Sequence, residues 1–181
     1  MERDKFFLDV GAFTGDSADF WYQRYPDYQV ICFEPLQANC EALRAKGYYV
    51  VEACAWVRHE KKKFYTGLPQ SGSLYSAKRT GGLSPDKFIE VECIDIARFI
   101  KTNFRKSDRL VMKLNCEGAE YNIIPHLKKN NLLDWIDRFY IQWHWDKIGL
   151  SKAEHDKIAS LVESYPWHAM TPKNFKNFKP L

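Results

Sequence analysis

Short apolar runs alternate along the chain with segments whose apolar residues recur every three or four positions. The first two runs are residues 6–10 and 30–33, and a third covers residues 48–55. Two stretches between them place apolar side chains on one face of a helix: Phe20, Trp21 and Tyr25, then Leu36, Cys40 and Leu43. This alternation of strand and helix predicts a parallel sheet with helices on both faces.

The second half of the chain resumes the pattern after an interruption rich in glycine and proline. Residues 60–92 predict an excursion of hairpins and loops, which is too short for a core of its own. Residues 110–114 then predict a fourth parallel strand and residues 139–143 a fifth. We therefore expect one α/β domain over residues 1–181.

Polar residues mark where the later helices begin. Asp95 predicts the N-cap of one helix, and Ser151 with Glu154 three positions later predicts a capping box at the start of another. Residues 171–181 hold three lysines and no acidic residue, so we expect a loosely held basic tail there.

Composition narrows the class of protein. Of the 181 residues, 45% are hydrophobic and 28% charged, which is typical of a globular domain. The net charge of +4 is small and the basic residues are scattered, so dedicated nucleic-acid binding is not implied. No apolar run reaches the roughly 18 residues that a membrane span needs.

The cysteines indicate the compartment. There are five, an odd number without a C-x-x-C pair, which argues against a disulfide framework and fits a reducing cytoplasm. No two histidines or cysteines have the spacing of zinc ligands, so we expect no metal site. The size of the chain and the early start of its first strand also fit a domain excised from a longer polypeptide.

A glycine turn follows the first strand. A phosphate-binding P-loop would need a lysine after its second glycine, and a dinucleotide fingerprint would need glycine where Phe13 stands. The remaining pattern, D-x-G-x-x-x-G from Asp9 through Gly11 to Gly15, suits a ligand without a diphosphate. We expect its backbone N–H groups to approach a carboxylate. An ordinary strand-to-helix turn is the alternative.

An acidic residue stands at the end of the second strand. Glu34 comes 19 residues after Gly15, where a carboxylate accepts hydrogen bonds from ribose hydroxyls. A solvated carboxylate at a strand end is the alternative. The ends of the first and second strands, which carry the glycine turn and Glu34, should lie side by side at the ligand-binding edge of the sheet.

Four stretches of the chain resemble the successive motifs of the FkbM-type methyltransferases. They are F-L-D-V-G-A-F-T-G-D-S (7–17), C-F-E-P-L-Q-A-N (32–39), V-E-C-I-D-I-A-R-F-I (91–100) and V-M-K-L-N-C-E-G-A-E (111–120). The family comprises S-adenosylmethionine-dependent O-methyltransferases of sugars and natural products. The resemblance implies a Rossmann-like class I methyltransferase fold with S-adenosyl-L-methionine as cofactor.

The resemblance also implies where the cofactor binds. The methionine part, the ribose and the adenine would lie along Asp9, Val10, Gly11, Ala12, Phe13, Thr14, Gly15, Ser17, Glu34, Pro35, Cys54, Ala55 and Asn115. The commoner family pattern has aspartate at Asn115 and often a small polar residue at Phe13. Because carboxylates are the natural ligands of hard cations, the asparagine weakens any expectation of a divalent metal.

The chemistry would lie where the fourth and fifth strands end. Lys113, Asn115 and Glu117 lie at the end of the fourth, and His144 lies at that of the fifth. Glu117 or His144 would accept the proton of the acceptor hydroxyl, while Asn115 and Lys113 would orient the acceptor. An ion pair of Lys113 with Glu117 or Glu120 is at least as strong an interpretation.

Other candidates surround this edge. Alternation along the fifth strand would put Gln142, His144 and Asp146 on one face and Trp143 and Trp145 on the other. Trp145 is either core or a platform for a sugar. Ser73 and Tyr75 lie on a loop that would close on the acceptor, unless the loop is simply solvated. We expect His126 and His155 on the surface.

Three functions from different classes follow. The first is transfer of a methyl group to a hydroxyl of a sugar or glycan, or of a non-sugar natural product. The second is a methyltransferase-like fold that binds a nucleoside or a partner without catalysis. The third, a nicotinamide-dependent oxidoreductase, is disfavoured because Phe13 would obstruct a diphosphate.

Overall fold

A sheet of six parallel strands forms the centre of the protein in the computed structural model, which describes residues 3–78, 80–165 and 167–169. The predicted tail at residues 171–181 lies outside these residues. Strand order is β3-β2-β1-β7-β8-β9. The bounds are β1 Lys5–Val10, β2 Gln29–Phe33, β3 Tyr49–Val51, β7 Arg109–Leu114, β8 Ile136–Ile141 and β9 Trp167–Ala169.

Helices cover both faces of this sheet. They are α1 Asp16–Arg24, α2 Gln37–Ala45, α3 Ile96–Asn103, α4 Glu120–Lys129, α5 Trp145–Ile148 and α6 Lys152–Ala159. Side chains alternate along β1, so Phe7 joins the core under α1 and α2, while Leu8 joins the core under α3 and α4. The predicted α/β class, a Rossmann-like and mostly parallel sheet, is confirmed. Within the described residues, each helix is too short or too polar to cross a bilayer.

Both predicted helix caps are present. The Asp95 side chain accepts hydrogen bonds from the backbone N–H groups of Ala97 and Arg98, both at 3.0 Å. Ser151 and Glu154 form the reciprocal capping box of α6. Each cap satisfies backbone donors that the first turn of a helix cannot pair internally.

The excursion builds a small second sheet with order β4-β6-β5. Its strands are β4 Cys54–Trp56, β5 Glu60–Tyr65 and β6 Phe88–Asp95, with β5 antiparallel to β6 as a hairpin excursion requires. The prediction of one strand over residues 48–55 is wrong. The chain bends where Ala53 N–H bonds to the Val51 carbonyl at 2.9 Å, so β3 pairs in the main sheet and β4 in the second.

The last predicted strand is also shifted. β8 ends at Ile141, three residues before His144, and α5 begins directly after that histidine. Gln142, His144 and Asp146 therefore share no strand face, and the predicted alternation there is wrong. Two backbone N–H groups of α5 bond to the His144 carbonyl, which favours a helical turn over an extended chain.

The order of the strands places a crevice beside β1. From β1 the chain winds to β2 and β3 on one side and later to β7 and β8 on the other. Ligands of open α/β sheets bind outside the carboxyl ends of the strands at such a reversal. The glycine turn, Glu34 and Glu117 all follow these ends, as expected from the sequence.

A buried ion pair joins β1 to β7 below this crevice. Lys113 Nζ lies 2.7 Å from Asp9 Oδ1 and donates to the Gly11 carbonyl at 2.7 Å, and the Ser17 hydroxyl donates to Asp9 Oδ2 at 2.7 Å. Both charged side chains are at most 2% exposed. The expectation that Lys113 pairs with Glu117 or Glu120 is wrong, because its side chain reaches the neighbouring strand instead.

Replacing Lys113 by methionine should destabilise the protein by about 3–5 kcal/mol, because Asp9 would keep a buried charge without its cation. Urea unfolding followed by circular dichroism measures the change. Lys152→Met is the matched control, since its pair with Asp156 has side chains 67% and 54% exposed and should contribute nothing measurable. Equal stabilities of the two variants would contradict the conclusion that Lys113 and Asp9 form a buried, stabilising ion pair.

Candidate functional site

The glycine turn lies against the end of β7. Gly11 has φ of +78°, and a Cβ added there would lie 2.1 Å from the backbone oxygen of Asn115. Asn115 N–H in turn bonds to the Val10 carbonyl at 3.1 Å. Only glycine allows this approach, and it brings the two strand ends to one edge of the crevice.

The N–H groups of the turn bond within the protein. Those of Gly11 and Ala12 both donate to the Phe33 carbonyl, at 3.1 and 3.2 Å, and that of Phe13 donates to Glu34 Oε2 at 3.0 Å. Phe13 itself has a left-handed backbone, with φ of +51°. The carboxylate that the turn approaches in the structure is thus that of Glu34, and its contact with a carboxylate of a ligand stays a prediction.

Glu34 is buried rather than solvated. It is 5% exposed, and its carboxylate accepts from Phe13 N–H, from Leu36 N–H at 3.0 Å and from the Asn39 amide at 3.2 Å. Burial raises the pKa of Glu34, although these hydrogen bonds oppose the rise. The carboxylate thus holds the turn and the start of α2 in place while it faces the crevice.

A cleft of about 590 Å³, including its solvent-open mouth, occupies this edge of the sheet. The cleft brings together many of the candidates from the sequence: Val10, Gly11, Phe13, Glu34, Pro35, Cys54, Ala55, Asn115 and Glu117. The buried Oδ1 of Asn115 accepts no hydrogen bond from the residues that the structure describes.

Other predicted residues lie outside the lining of the cleft. Asp9 lies near the end of β1, Ala12, Thr14 and Gly15 belong to the glycine turn, and Ser17 lies in α1. Lys113 and His144 are buried. Asp9 and Ser17 serve the ion pair with Lys113. These residues support the shape of the site, and their predicted direct contacts stay untested.

Sequence reasoning missed about half of the lining. The missed residues are Phe33, Leu36, Asn39, Phe64, Pro69, Gln70, Gly72, Leu74, Cys116 and Ala119. Leu36 and Asn39 follow Glu34 closely, so the strand-end signal could have found them. Gln70, Gly72 and Leu74 belong to the loop that the sequence predicts to close over this edge, although Ser73 and Tyr75 are the contacts predicted there. No local pattern indicates that Phe64 and Pro69 line it.

A cluster of charges lies beside the cleft. His144 is fully buried, with Nδ1 2.8 Å from Glu120 Oε1 and Nε2 3.4 Å from Glu117 Oε1. Burial favours the neutral ring, but the two carboxylates outweigh it and raise the pKa of His144 to about 9. Burial would likewise raise the pKa of Glu117, but His144 and Lys78 lower it to about 2.

The loop candidates have structural partners. Ser73 is fully buried and its hydroxyl donates to the Glu117 carbonyl at 2.7 Å, and the Tyr75 hydroxyl bonds to Asn122. Neither lines the cleft. Their predicted contact with substrate has no support in this arrangement, because both hydroxyls are already occupied.

The remaining aromatic and histidine candidates also differ from expectation. Trp145 stacks on His155, with ring centroids 5.7 Å apart, away from the cleft lining. His155 also bonds to the Tyr121 hydroxyl at 2.9 Å, and His126 bonds to Asp95 at 2.8 Å. The prediction that the two histidines are plain surface residues is wrong, since each joins two elements. Within the described ranges no three acidic, histidine or cysteine side chains group as metal ligands would.

Comparison with known proteins identifies the family. A family model described as Methyltransferase FkbM domain matches residues 9–165. The match spans most of the chain, so the protein belongs to the FkbM methyltransferase domain family and is a methyltransferase. Searches of the curated proteins and of the solved structures each returned no match.

The raised pKa of His144 predicts a pH-dependent stability. Because folding raises the pKa of His144 from 6.5 to about 9, the protonated histidine stabilises the folded protein fully below pH 6.5. This stabilisation is lost as the pH rises through about 9. Across that window the free energy of unfolding should fall by about 3 kcal/mol through this group. Urea unfolding between pH 6 and 9.5 measures it.

A histidine variant isolates that contribution. His144→Gln should be less stable than the wild type at pH 6 and should approach it at pH 9.5. His59→Gln, which changes an exposed histidine, should keep the full pH dependence. A His144→Gln variant with the wild-type pH profile would show that the cluster is not charged as described.

Proposed function

We propose that this FkbM-family methyltransferase transfers the methyl group of S-adenosyl-L-methionine to a hydroxyl of a sugar or glycan. The supporting observation is the cleft at the strand reversal, which the glycine turn, the buried Glu34 and the ionised Glu117 all line. A cytoplasmic location fits the five free cysteines.

The cleft residues fit this cofactor. Glu34 Oε2 accepts one hydrogen bond and keeps a lone pair for a ribose hydroxyl, whereas Oε1 already accepts two. The Asn115 Oδ1, which accepts no hydrogen bond from the described residues, can accept from the ammonium of the methionine part. Phe13 fills the centre of the turn, which disfavours a diphosphate. Cys54 and Ala55 would lie near the adenine. When bound, S-adenosyl-L-methionine supplies an electrophilic methyl group on a positively charged sulfur.

The chain would then orient an acceptor beside the bound cofactor. Gln70, Asn115 and Glu117 are polar lining residues of the cleft, and hydrogen bonds with them would fix a hydroxyl near the transferable methyl group. Alignment of this kind is worth roughly 7–11 kcal/mol in favourable cases.

Glu117 is the group that would take the proton of the hydroxyl. Its carboxylate lines the cleft and is ionised at neutral pH, whereas His144 is protonated and buried. A pKa of about 2 makes Glu117 a weak base, so it would take the proton as the hydroxyl oxygen gains the methyl group and becomes strongly acidic. A protonated imidazole cannot accept a proton, so we assign His144 the role of holding Glu117 in place. Lys113 similarly holds the turn rather than the acceptor.

Two alternatives remain open to test. The acceptor could be a non-sugar natural product, since the polar lining recognises a hydroxyl rather than a whole sugar ring. The domain could also bind a nucleoside or a partner without catalysis. Formation of S-adenosylhomocysteine with a panel of monosaccharides, glycans and hydroxylated natural products separates these outcomes.

Glu34→Gln should weaken binding of S-adenosylmethionine by about 10–100-fold, because hydrogen bonds to a charged partner are worth roughly 1.5–3 kcal/mol. Titration calorimetry measures the affinity, with urea unfolding to confirm that the variant is folded. Glu41→Gln on α2 is the exposed control and should bind normally. Binding of NAD in place of S-adenosylmethionine by the wild type would overturn the proposal.

Glu117→Gln should lower turnover by about 10²–10⁴-fold, which is the usual contribution of a positioned acid or base. Its affinity for S-adenosylmethionine should stay within a few fold of the wild type. The measurement is the rate of S-adenosylhomocysteine formation with the acceptor found in the panel. Turnover at the wild-type rate would exclude Glu117 as the proton acceptor.

A further inference from the structure

One wall of the cleft comes from the excursion. We call residues 66–87, between β5 and β6, the covering segment. Its residues Pro69, Gln70, Gly72 and Leu74 line the cleft together with residues of the glycine turn. The position of this segment therefore decides the shape of the cleft.

The covering segment contributes a buried lysine. The Lys78 side chain is 1% exposed, and its Nζ lies 2.6 Å from Glu117 Oε2 and 2.5 Å from the Ser71 carbonyl. Lysine is almost never this buried unless its charge is paired. The ammonium thus joins the covering segment to the carboxylate at the reactive end of the cleft.

Two uncharged contacts also hold the covering segment against residues 117–118. The Ser73 hydroxyl donates to the backbone carbonyl of Glu117, and the Tyr75 ring packs against Gly118. A Cβ added at Gly118 would lie 2.9 Å from that ring, so glycine is needed for the approach. The segment therefore docks on both the side chain and the backbone of residues 117–118.

Glu117 has a backbone that needs such support. Its φ of +53° lies in the left-handed region, which is uncommon for a glutamate and recurs at functional sites. The charged groups that face its carboxylate are Lys78 from the covering segment and His144, which directly precedes α5. Glu120, on α4, pairs with the other side of His144.

We propose that Lys78 is the positioning residue of the site, whose ammonium closes the covering segment over the cleft and fixes the orientation of the Glu117 carboxylate. The inference rests on the proposed role of Glu117 and extends it to a residue outside the sequence motifs. It makes two properties depend on each other: the closed position of the segment and the ionised state of Glu117. Loss of either partner should affect both.

Three variants of the whole chain test the ion pair between Lys78 and Glu117. Lys78→Met removes the charge at nearly constant length, Lys78→Arg keeps it, and Lys87→Met changes an exposed lysine of the same segment. Thermolysin cleavage within the covering segment under native conditions should be about 10-fold faster in Lys78→Met. It should stay near the wild-type rate in the other two.

A double-mutant cycle asks whether Lys78 acts through Glu117. Glu117→Gln should also speed cleavage, and the double variant Lys78→Met/Glu117→Gln should cleave no faster than the faster single variant. Rates that multiply in the double variant would overturn the proposal, because they would mean that the two residues act independently.

The titration of Glu117 gives a readout that a purely structural lysine would not move. In a ¹³C NMR titration, assigned with Glu117→Gln, the wild-type carboxylate should not titrate above pH 4, whereas in Lys78→Met its titration should move upward into that range. Lys78→Arg should restore the wild-type curve. An unchanged titration in Lys78→Met would overturn the proposal.

Turnover separates this proposal from the function it rests on. With the acceptor from the panel, Lys78→Met should lower kcat at least 10-fold while the KM for S-adenosylmethionine changes less than threefold. Failure of the wild-type protein to bind S-adenosylmethionine would refute the proposed function. The cleavage cycle and the titration would still decide whether Lys78 positions Glu117.

Discussion

The buried Lys113 ammonium is the contact on which the shape of the site depends. It bonds to Asp9 within β1 and to the carbonyl of Gly11 immediately after it, so that one cation connects β7 to the glycine turn. Gly11 then fits against Asn115 with no room for a side chain. The ends of β1 and β7 cannot move apart without leaving charges buried and unpaired. The cleft between them therefore keeps a fixed shape.

The cations of this site are buried and hold it together, whereas its carboxylates line the cleft. The two lysines and the histidine nearest the cleft are buried and paired with carboxylates, and Glu34 and Glu117 are the acidic groups that reach its surface. Acidic groups at the surface and cations held beneath it are consistent with the proposed cofactor, which has a positively charged sulfur, and with the proposed hydroxyl acceptor. The supporting pairs act in low dielectric, where removing one partner is costly.

Much of the fold could be predicted from the sequence because the relevant signals are local. Apolar runs predicted the central strands, Asp95 and Ser151 predicted helix caps, and Gly11 and Glu34 predicted which edge of the sheet bears the site. The failures came where neighbours in space override local preference. The run at 48–55 is apolar throughout, yet it divides between two sheets, and the aromatic run after β8 turns into a helix at His144.

The sequence by itself determined the family, the α/β class and the placement of Glu34 and Glu117 at strand ends, because periodicity, glycine and acidic residues act within a few positions of the chain. Only the tertiary structure decided which groups meet. Lys113 reaches Asp9 rather than Glu117, and Lys78 comes from a segment with no motif to lie beside Glu117. Such pairings depend on how distant segments pack, and a buried charge is satisfied by whichever partner the fold brings within reach.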